Sequence, residues 1–268
     1  MAFEALKERQ SFVWGNAPFE EISHTIADVH RGVVDALGPA EGKHWLDIAC
    51  GTGDLAELAA AEGADVVGID FAAPLIETAK RRAAERGLDI AYSVGDAENL
   101  EGVDDASFDV VSSTFGVMFA PDHGRAAGEL ARVTRSDGRL GLATWAPAGG
   151  IGEMFKLMAQ FQAPPPEGAG SPLDWGRPEY VEGLLGDAFD LQIEERTSVF
   201  EQPSAEDYWT KFSPAFGPCK TLLETLDDEG RAKVHDTFVG WLDDNFSSSP
   251  GGAIAHPREY LLITGTRK

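Results

Sequence analysis

Between residues 43 and 145 short apolar runs alternate with amphipathic segments, and this alternation constrains the fold more than any other feature of the chain. Strands are expected near residues 43–49, 64–70, 89–94, 108–113 and 139–145. Helices are expected from Asp54, from Pro74 with Leu75, Ile76 and Ala79 turned inward, and over 123–134 with Ala126, Leu130 and Val133 buried. Strand and helix alternating at this pace builds a parallel sheet with helices on both faces, a doubly wound α/β domain. Such sheets hold ligands outside the carboxyl ends of their strands, where the strand order reverses.

The flanks read differently. Phe19, Ile22, Ile26, Val29, Val33 and Leu37 follow steps of three and four, which predicts one helix over 19–37, stopped by Gly38-Pro39. Residues 146–172 are rich in Gly and Pro, with Pro164-Pro165-Pro166 at their centre. Short helices are expected near 152–161 and 178–185, a strand near 189–200, and helix over 205–246 with an interruption at 213–218. A loop at 247–252 leads to a last strand near 260–264. The organisation expected is a helical N-terminal cover (1–40), a ligand-binding core (41–147), a helical insertion with a late strand (148–257) and a last strand (258–268).

Forty-five acidic side chains against 22 Lys and Arg give a net charge of −23. A surface of this sign repels nucleic acid and anionic lipid, whose binding depends on basic groups. The two cysteines, Cys50 and Cys219, do not suggest a disulfide framework. The first ten residues lack the apolar stretch of a signal peptide, and no apolar run reaches the ~18 residues of a membrane span. A cytoplasmic protein is expected, with neither nucleic-acid nor membrane partners, and with its oligomeric state open.

The sharpest motif is Trp45-Leu46-Asp47-Ile48-Ala49-Cys50-Gly51-Thr52-Gly53-Asp54-Leu55, at the end of the first strand. Gly51 and Gly53 allow a tight turn and close approach of a ligand to the backbone. Gly51-Thr52-Gly53-Asp54-Leu55-Ala56 also satisfies the looser dinucleotide pattern. The charges separate the ligands. A pyrophosphate wants a bare helix N-terminus, whereas Asp47 and Asp54 beside the loop suit a cationic ligand. Asp54 could equally cap its helix. Asp47, inside an apolar strand, needs buried partners or a ligand. Asp70 ends the second strand, where an acid accepts hydrogen bonds from ribose hydroxyls. Phe71 either packs on a base or belongs to the core. Asp96 follows the third strand, where its carboxylate could accept an adenine amino group while the Ala97 N–H reaches a ring nitrogen; alone, it is also an ordinary turn residue.

Together these stretches resemble the class I S-adenosylmethionine (SAM)-dependent methyltransferases, in the branch containing quinone-biosynthesis and other small-molecule enzymes. The matching segments are Leu46–Gly53, Val67-Gly68-Ile69-Asp70, Gly95-Asp96-Ala97-Glu98, Phe108-Asp109-Val110-Val111-Ser112-Ser113, and Glu129-Leu130-Ala131-Arg132-Val133-Thr134-Arg135-Ser136-Asp137-Gly138, in the family's order. The resemblance implies a Rossmann-like seven-stranded sheet, mostly parallel with an antiparallel last strand. It implies SAM as methyl donor, leaving as S-adenosylhomocysteine. Asp47, Ala49, Gly51 and Gly53 would surround the methionine part, Asp70 the ribose, Asp96 and Ala97 the adenine, with Ser113 and Thr114 beside the methyl. Ala49 and Cys50 replace the commonest loop residues, and Ser136-Asp137-Gly138 replaces a Pro-Gly turn. Related enzymes fold the region before the first helix over the donor, which makes Trp14 a candidate cover; packing is its other reading.

Methyl transfer is an in-line displacement in which positioning does much of the work. A general base is needed only when the acceptor must lose a proton early. His123, in the loop leaving the fourth strand, is the base candidate, against a packing role in the first turn beside the cap Asp122. No metal-ligand set is evident. Phe115, Met118, Phe155, Met158, Trp175 and Trp209 are candidates for an apolar acceptor pocket, in competition with plain core packing. The function expected is methyl transfer to a small, partly apolar or aromatic molecule. An NAD-dependent oxidoreductase, disfavoured by Asp47 and Asp96, and a SAM-binding protein without catalysis are the alternatives. A nucleic-acid or protein methyltransferase fits neither the charge nor a closed insertion.

Overall fold

The computed structural model describes residues 3–268. Seven strands form one sheet: β1 (His44–Ile48), β2 (Asp65–Asp70), β3 (Ile90–Val94), β4 (Phe108–Thr114), β5 (Thr134–Trp145), β6 (Phe189–Gln202) and β7 (Ile254–Arg267). Their spatial order is β3-β2-β1-β4-β5-β7-β6. The first five strands pair in parallel, and β7 lies antiparallel between β5 and β6. The order reverses between β1 and β4, so the carboxyl ends of those strands form the switch point. This is the doubly wound sheet expected from the sequence.

The core follows from the period of the apolar residues. α3 (Ala27–Leu37) buries Val29, Val33, Val34 and Leu37 against the sheet. At roughly 1.5–3 kcal/mol for each fully buried side chain, that stripe is a major holding term. α4 (Asp54–Ala61) packs beside α3, while α6 (His123–Val133) pairs with α8 (Pro178–Leu185). α5 (Ala73–Arg86) begins with Pro74 in its first turn and packs on β3.

Several elements differ from expectation. The helix predicted over 19–37 is broken into α2 (Glu20–Ser23), a 3-10 turn (His24–Ile26) and α3. Thr25 Oγ1 donates to the Ile22 carbonyl at 2.8 Å, competing with the helical ladder at the break. A helix that the pattern did not predict, α1 (Glu4–Gly15), precedes them. It lacks an apolar stripe, and Phe12 is exposed. A single aromatic, Trp14, and polar ties hold it: Ser11 Oγ donates to the Phe71 carbonyl at 3.0 Å and Gln10 Nε2 to the Phe119 carbonyl at 3.2 Å. The last strand is longer than expected because β7 continues into a long hairpin-like pairing with β6. The segment 136–138 belongs to β5, with Asp137 at φ 63° beside a register shift between Phe108 and Val110. The remaining helices are α7 (Gly150–Ala159), α9 (Ala205–Ala215), α10 (Gly217–Thr225) and α11 (Asp228–Phe246), which gather over β7 and the N-terminal helices. No helix among the described residues is long and apolar enough to cross a membrane.

Candidate functional site

The loops leaving β1 and β4 meet over the switch point. Gly51 and Gly53 hold φ of 56° and 88°, the left-handed region that a side chain disfavours. Ala49, at φ 52°, adopts the same region with a Cβ, a cost of about 1 kcal/mol. The β4 loop presses against it: a Cβ on Gly116 would lie 2.5 Å from Ala49 Cβ. Phe115 is also left-handed, at φ 55°, and its ring stacks on Trp145 with centroids 3.4 Å apart.

A cavity opens from this junction. At one end it is lined by Ala49, Cys50, Gly51, Asp70, Phe71, Leu75, Asp96 and Ala97. Asp70 is buried. Its Oδ2 accepts the Gly51 N–H at 2.9 Å and its Oδ1 the Ala72 N–H at 2.8 Å. Burial pushes its carboxyl up to about 6, against the pull of those backbone donors. Each oxygen retains acceptor capacity for a ligand hydroxyl. Asp96 Oδ1 accepts the Glu98 N–H at 2.9 Å, and its Oδ2 receives Lys7 Nζ at 2.6 Å from α1. Thr114 lines the cavity with a buried hydroxyl oxygen that has no protein partner. An acid after β2, an acid after β3, a glycine cradle and an unpaired hydroxyl fit an adenosine-bearing ligand.

At the other end the lining is aromatic. Trp14, Phe19, Phe119, Phe155, Phe200, Tyr208, Phe212 and Phe216 contribute, with Ile151 and Met154 from α7. Trp14 meets Phe119, Phe216 and Phe19 edge-on at 4.9, 5.5 and 5.6 Å between centroids. Polar groups sit among them: His30 beside Ser23, Arg258 beside Thr25, and Tyr208. Burial lowers His30 to about 4, so its ring is neutral at pH 7.

Of the candidate donor-site, base and acceptor-pocket residues, Trp14, Ala49, Gly51, Asp70, Phe71, Asp96, Ala97, Thr114, Phe115 and Phe155 line this cavity; Asp47, Gly53, Ser113, Met118, His123, Met158, Trp175 and Trp209 do not. Asp47 lies beneath it: Trp45 Nε1 donates to Ser112 Oγ, and Ser112 Oγ donates to Asp47 Oδ1, each at 2.8 Å. Burial raises its carboxyl to about 7. Asp54 points at α5, where Arg82 grips it through two bonds of 2.8 and 2.7 Å. Burial opposes its ionisation, but Arg82 outweighs it and holds Asp54 well below the usual carboxylate range. The electrostatic case built on these two acids therefore fails, and Asp70 and Asp96 are the carboxylates that face the cavity. Gly53 serves the turn, since a Cβ there would collide with the Tyr92 hydroxyl. Ser113 Oγ accepts the Val117 N–H at 3.0 Å, which fixes the β4 loop.

His123, the base candidate, is buried and does not line the cavity; its Nδ1 is 2.8 Å from the Tyr180 hydroxyl, and its ring meets Trp175 edge-on. Burial lowers its pKa. Met118, Met158, Trp175 and Trp209 are core residues rather than cavity walls. On α7 the facing residues are Ile151, Met154 and Phe155, one turn earlier than Met158; on α9 they are Tyr208 and Phe212, not Trp209. Sequence reasoning missed Lys7 and Arg258, which lie on elements with no motif, and took His30, at the edge of the α3 apolar stripe, for packing.

A seven-stranded sheet of this order, with its cavity at the β1/β4 switch point, is the Rossmann-like methyltransferase architecture. Residues 46–142 match the methyltransferase domain family. The chain is 38% identical over 235 residues to a demethylmenaquinone methyltransferase of Beutenbergia cavernae, covering 87% of this chain and 80% of that protein. It is 41% identical over 157 residues to an uncharacterized protein of Mycobacterium tuberculosis, covering 58% of this chain and 56% of that protein, so the match spans just over half of that relative. The YcgJ protein of Bacillus subtilis superposes with a TM-score of 0.59 at 21% identity, over 92% of this chain and 99% of that one. The chain belongs to the class I SAM-dependent methyltransferases.

Proposed function

We propose that this protein transfers a methyl group from SAM to a small, largely apolar molecule with aromatic or quinone-like character. The observation that carries the reading is one continuous cavity with a carboxylate-lined glycine cradle at one end and an aromatic chamber at the other. The name of the Beutenbergia relative, a demethylmenaquinone methyltransferase, supports an acceptor of this class.

SAM supplies a methyl carbon on a sulfonium, open to in-line displacement. The chain supplies placement. Asp70 is positioned to accept ribose hydroxyls, Asp96 and the Ala97 N–H to meet the adenine, and Phe71 with Leu75 to cover its face. The β1 and β4 loops, held together at Ala49 and Gly116, set the methionine part beside Thr114 and Phe115. Trp14, Phe119 and Phe155 close the aromatic chamber, exclude water and hold the acceptor in near-attack geometry. With His123 packed elsewhere, the chain's contribution is orientation and desolvation rather than proton abstraction by that residue.

The test is turnover. Purified protein with SAM and a panel of hydroquinones, naphthols and aliphatic thiols should form S-adenosylhomocysteine fastest with the aromatic acceptors. Binding of S-adenosylhomocysteine without turnover of any acceptor would favour a SAM-binding protein without catalysis.

A further inference from the structure

Arg258 is a buried cation whose charge nothing adjacent balances. Its side chain lines the aromatic end of the cavity and is 4% exposed. Its Nη groups donate to neutral oxygens, Thr25 Oγ1 at 2.9 Å, the Thr25 carbonyl, and Ser198 Oγ at 2.9 Å. Its Nε has no acceptor. The guanidinium lies over the Phe200 ring, 5.2 Å from the centroid. The nearest acid, Asp28, stands behind Ser198, whose hydroxyl reaches it at 3.1 Å, and Asp28 is exposed to solvent. A cation in an aromatic chamber is costly unless a counter-charge arrives. Among the described residues none supplies one at contact distance, so a ligand is the remaining source.

Two ligands could bring an anion: the acceptor, or the donor through its own α-carboxylate. The sheet order separates them. The glycine cradle leaves β1, whereas Arg258 is on β7, three strands away in the order β1-β4-β5-β7. At about 4.8 Å per strand this is roughly 14 Å across the sheet. Alternation along β7 puts His256, Arg258 and Tyr260 on one face, and Arg258 meets Phe200 of β6, on the chamber side. We propose that Arg258 is a specificity-determining residue that pairs with an acidic oxygen of the acceptor, so that the chamber selects an aromatic molecule carrying one anionic group. This rests on the methyltransferase reading of the cavity and names the substrate class within it. A purely structural Arg258, tying the 3-10 turn to the sheet, would not discriminate ligands by charge.

The test compares 2-naphthoate with its neutral analogue 2-naphthamide by calorimetry, with and without S-adenosylhomocysteine, in wild type, Arg258→Met and Arg258→Lys. Wild type is expected to bind naphthoate at least ~10-fold more tightly than the amide, consistent with a charge-assisted bond. Arg258→Lys should keep most of that preference and Arg258→Met should lose it, while S-adenosylhomocysteine affinity stays within ~3-fold. Should Arg258→Met fail to fold, the wild-type ratio and Arg258→Lys still decide. Equal affinities in wild type, no binding of either probe, or a preference retained in Arg258→Met overturns the proposal. Loss of S-adenosylhomocysteine binding in Arg258→Met with the probe ratio unchanged assigns Arg258 to the donor carboxylate instead. Failure of wild type to bind S-adenosylhomocysteine at all would sink the methyltransferase reading, and the probe ratio in the unliganded protein would still judge Arg258.

Discussion

Lys7 Nζ lies 2.6 Å from Asp96 Oδ2, joining the first helix to the acid that follows β3 across 89 residues of chain. The same ammonium reaches Glu98 Oε2 at 2.5 Å, and Glu98 is almost fully buried. Burial works against the charge on Lys7, but the bonds from Asp96 and Glu98 outweigh it and raise its pKa. The cover of the donor end is thus fastened by an ion-pair cluster rather than an apolar stripe. Lys7→Met strands Glu98 with one backbone donor, Asp122 N–H. The expected loss is about 3–5 kcal/mol of stability, as for other broken buried pairs. Hydrogen exchange should show faster amides in residues 4–15; unchanged protection there would contradict the fastening.

Asp47 gives a pH signature. Its folded pKa of about 7 lies above the ordinary aspartate value of 3.8, so between those values the folded state binds the extra proton. Stability from this group is fully present below about pH 4 and is lost as pH rises through about 7. Asp47→Asn removes the effect while keeping an acceptor for Ser112 Oγ. The stability of wild type relative to the variant should fall between pH 4 and pH 8, by at most about 4 kcal/mol. Asp70 shifts in the same direction and repels the Asp47 carboxylate, so the difference between the two proteins reports the Asp47 titration together with that coupling. Urea titrations across this range check it; a flat difference would mean that Asp47 stays ionised.

The sheet and its order of elements were legible because fully buried strands and amphipathic helices carry distinct periods, and the acids Asp70 and Asp96 could be placed by strand ends alone. Asp47 and Asp54 misled because a sequence shows a carboxylate but not its partner: Ser112 and Arg82 come from 65 and 28 residues away. α1 left no apolar periodicity, since its anchors are Lys7, Gln10, Ser11 and a single aromatic, Trp14. On α7 and α9 the apolar stripes were visible, but which edge faced the cavity depended on packing against β7 and α11, and the wrong edge was chosen at Met158 and Trp209. Arg258 sits mid-strand without a motif, and only tertiary structure reveals that its charge lacks a contact partner.

His123 packs between Trp175 and Tyr180 and does not line the cavity, so its removal should cost stability and not donor binding. His123→Ala leaves a hole between Trp175 and Tyr180, and a loss of roughly 2–4 kcal/mol is expected. S-adenosylhomocysteine affinity measured below the unfolding transition should stay within ~3-fold of wild type. A selective loss of turnover in a stable variant would restore His123 as a base.

Trp14 joins Phe19, Phe119 and Phe216 at the wall between α1 and the chamber. Trp14→Ala removes three edge-on contacts worth about 0.5–1.5 kcal/mol each beyond area burial, and opens the cavity to water. S-adenosylhomocysteine affinity should fall about 10-fold, read by calorimetry. Unchanged affinity in the folded variant would confine Trp14 to packing.

The central claim is that the cavity at the β1/β4 switch point binds the methyl donor through Asp70. Calorimetric titration of wild type and Asp70→Asn with S-adenosylhomocysteine tests it most directly. Micromolar binding by wild type is predicted, weakened at least ~30-fold in the variant, about 2 kcal/mol for charge-assisted bonds to the ribose. Wild-type affinity should also decline as pH falls through about 6, where Asp70 takes up its proton. No binding by the folded wild-type protein, or equal binding by Asp70→Asn, would contradict the account.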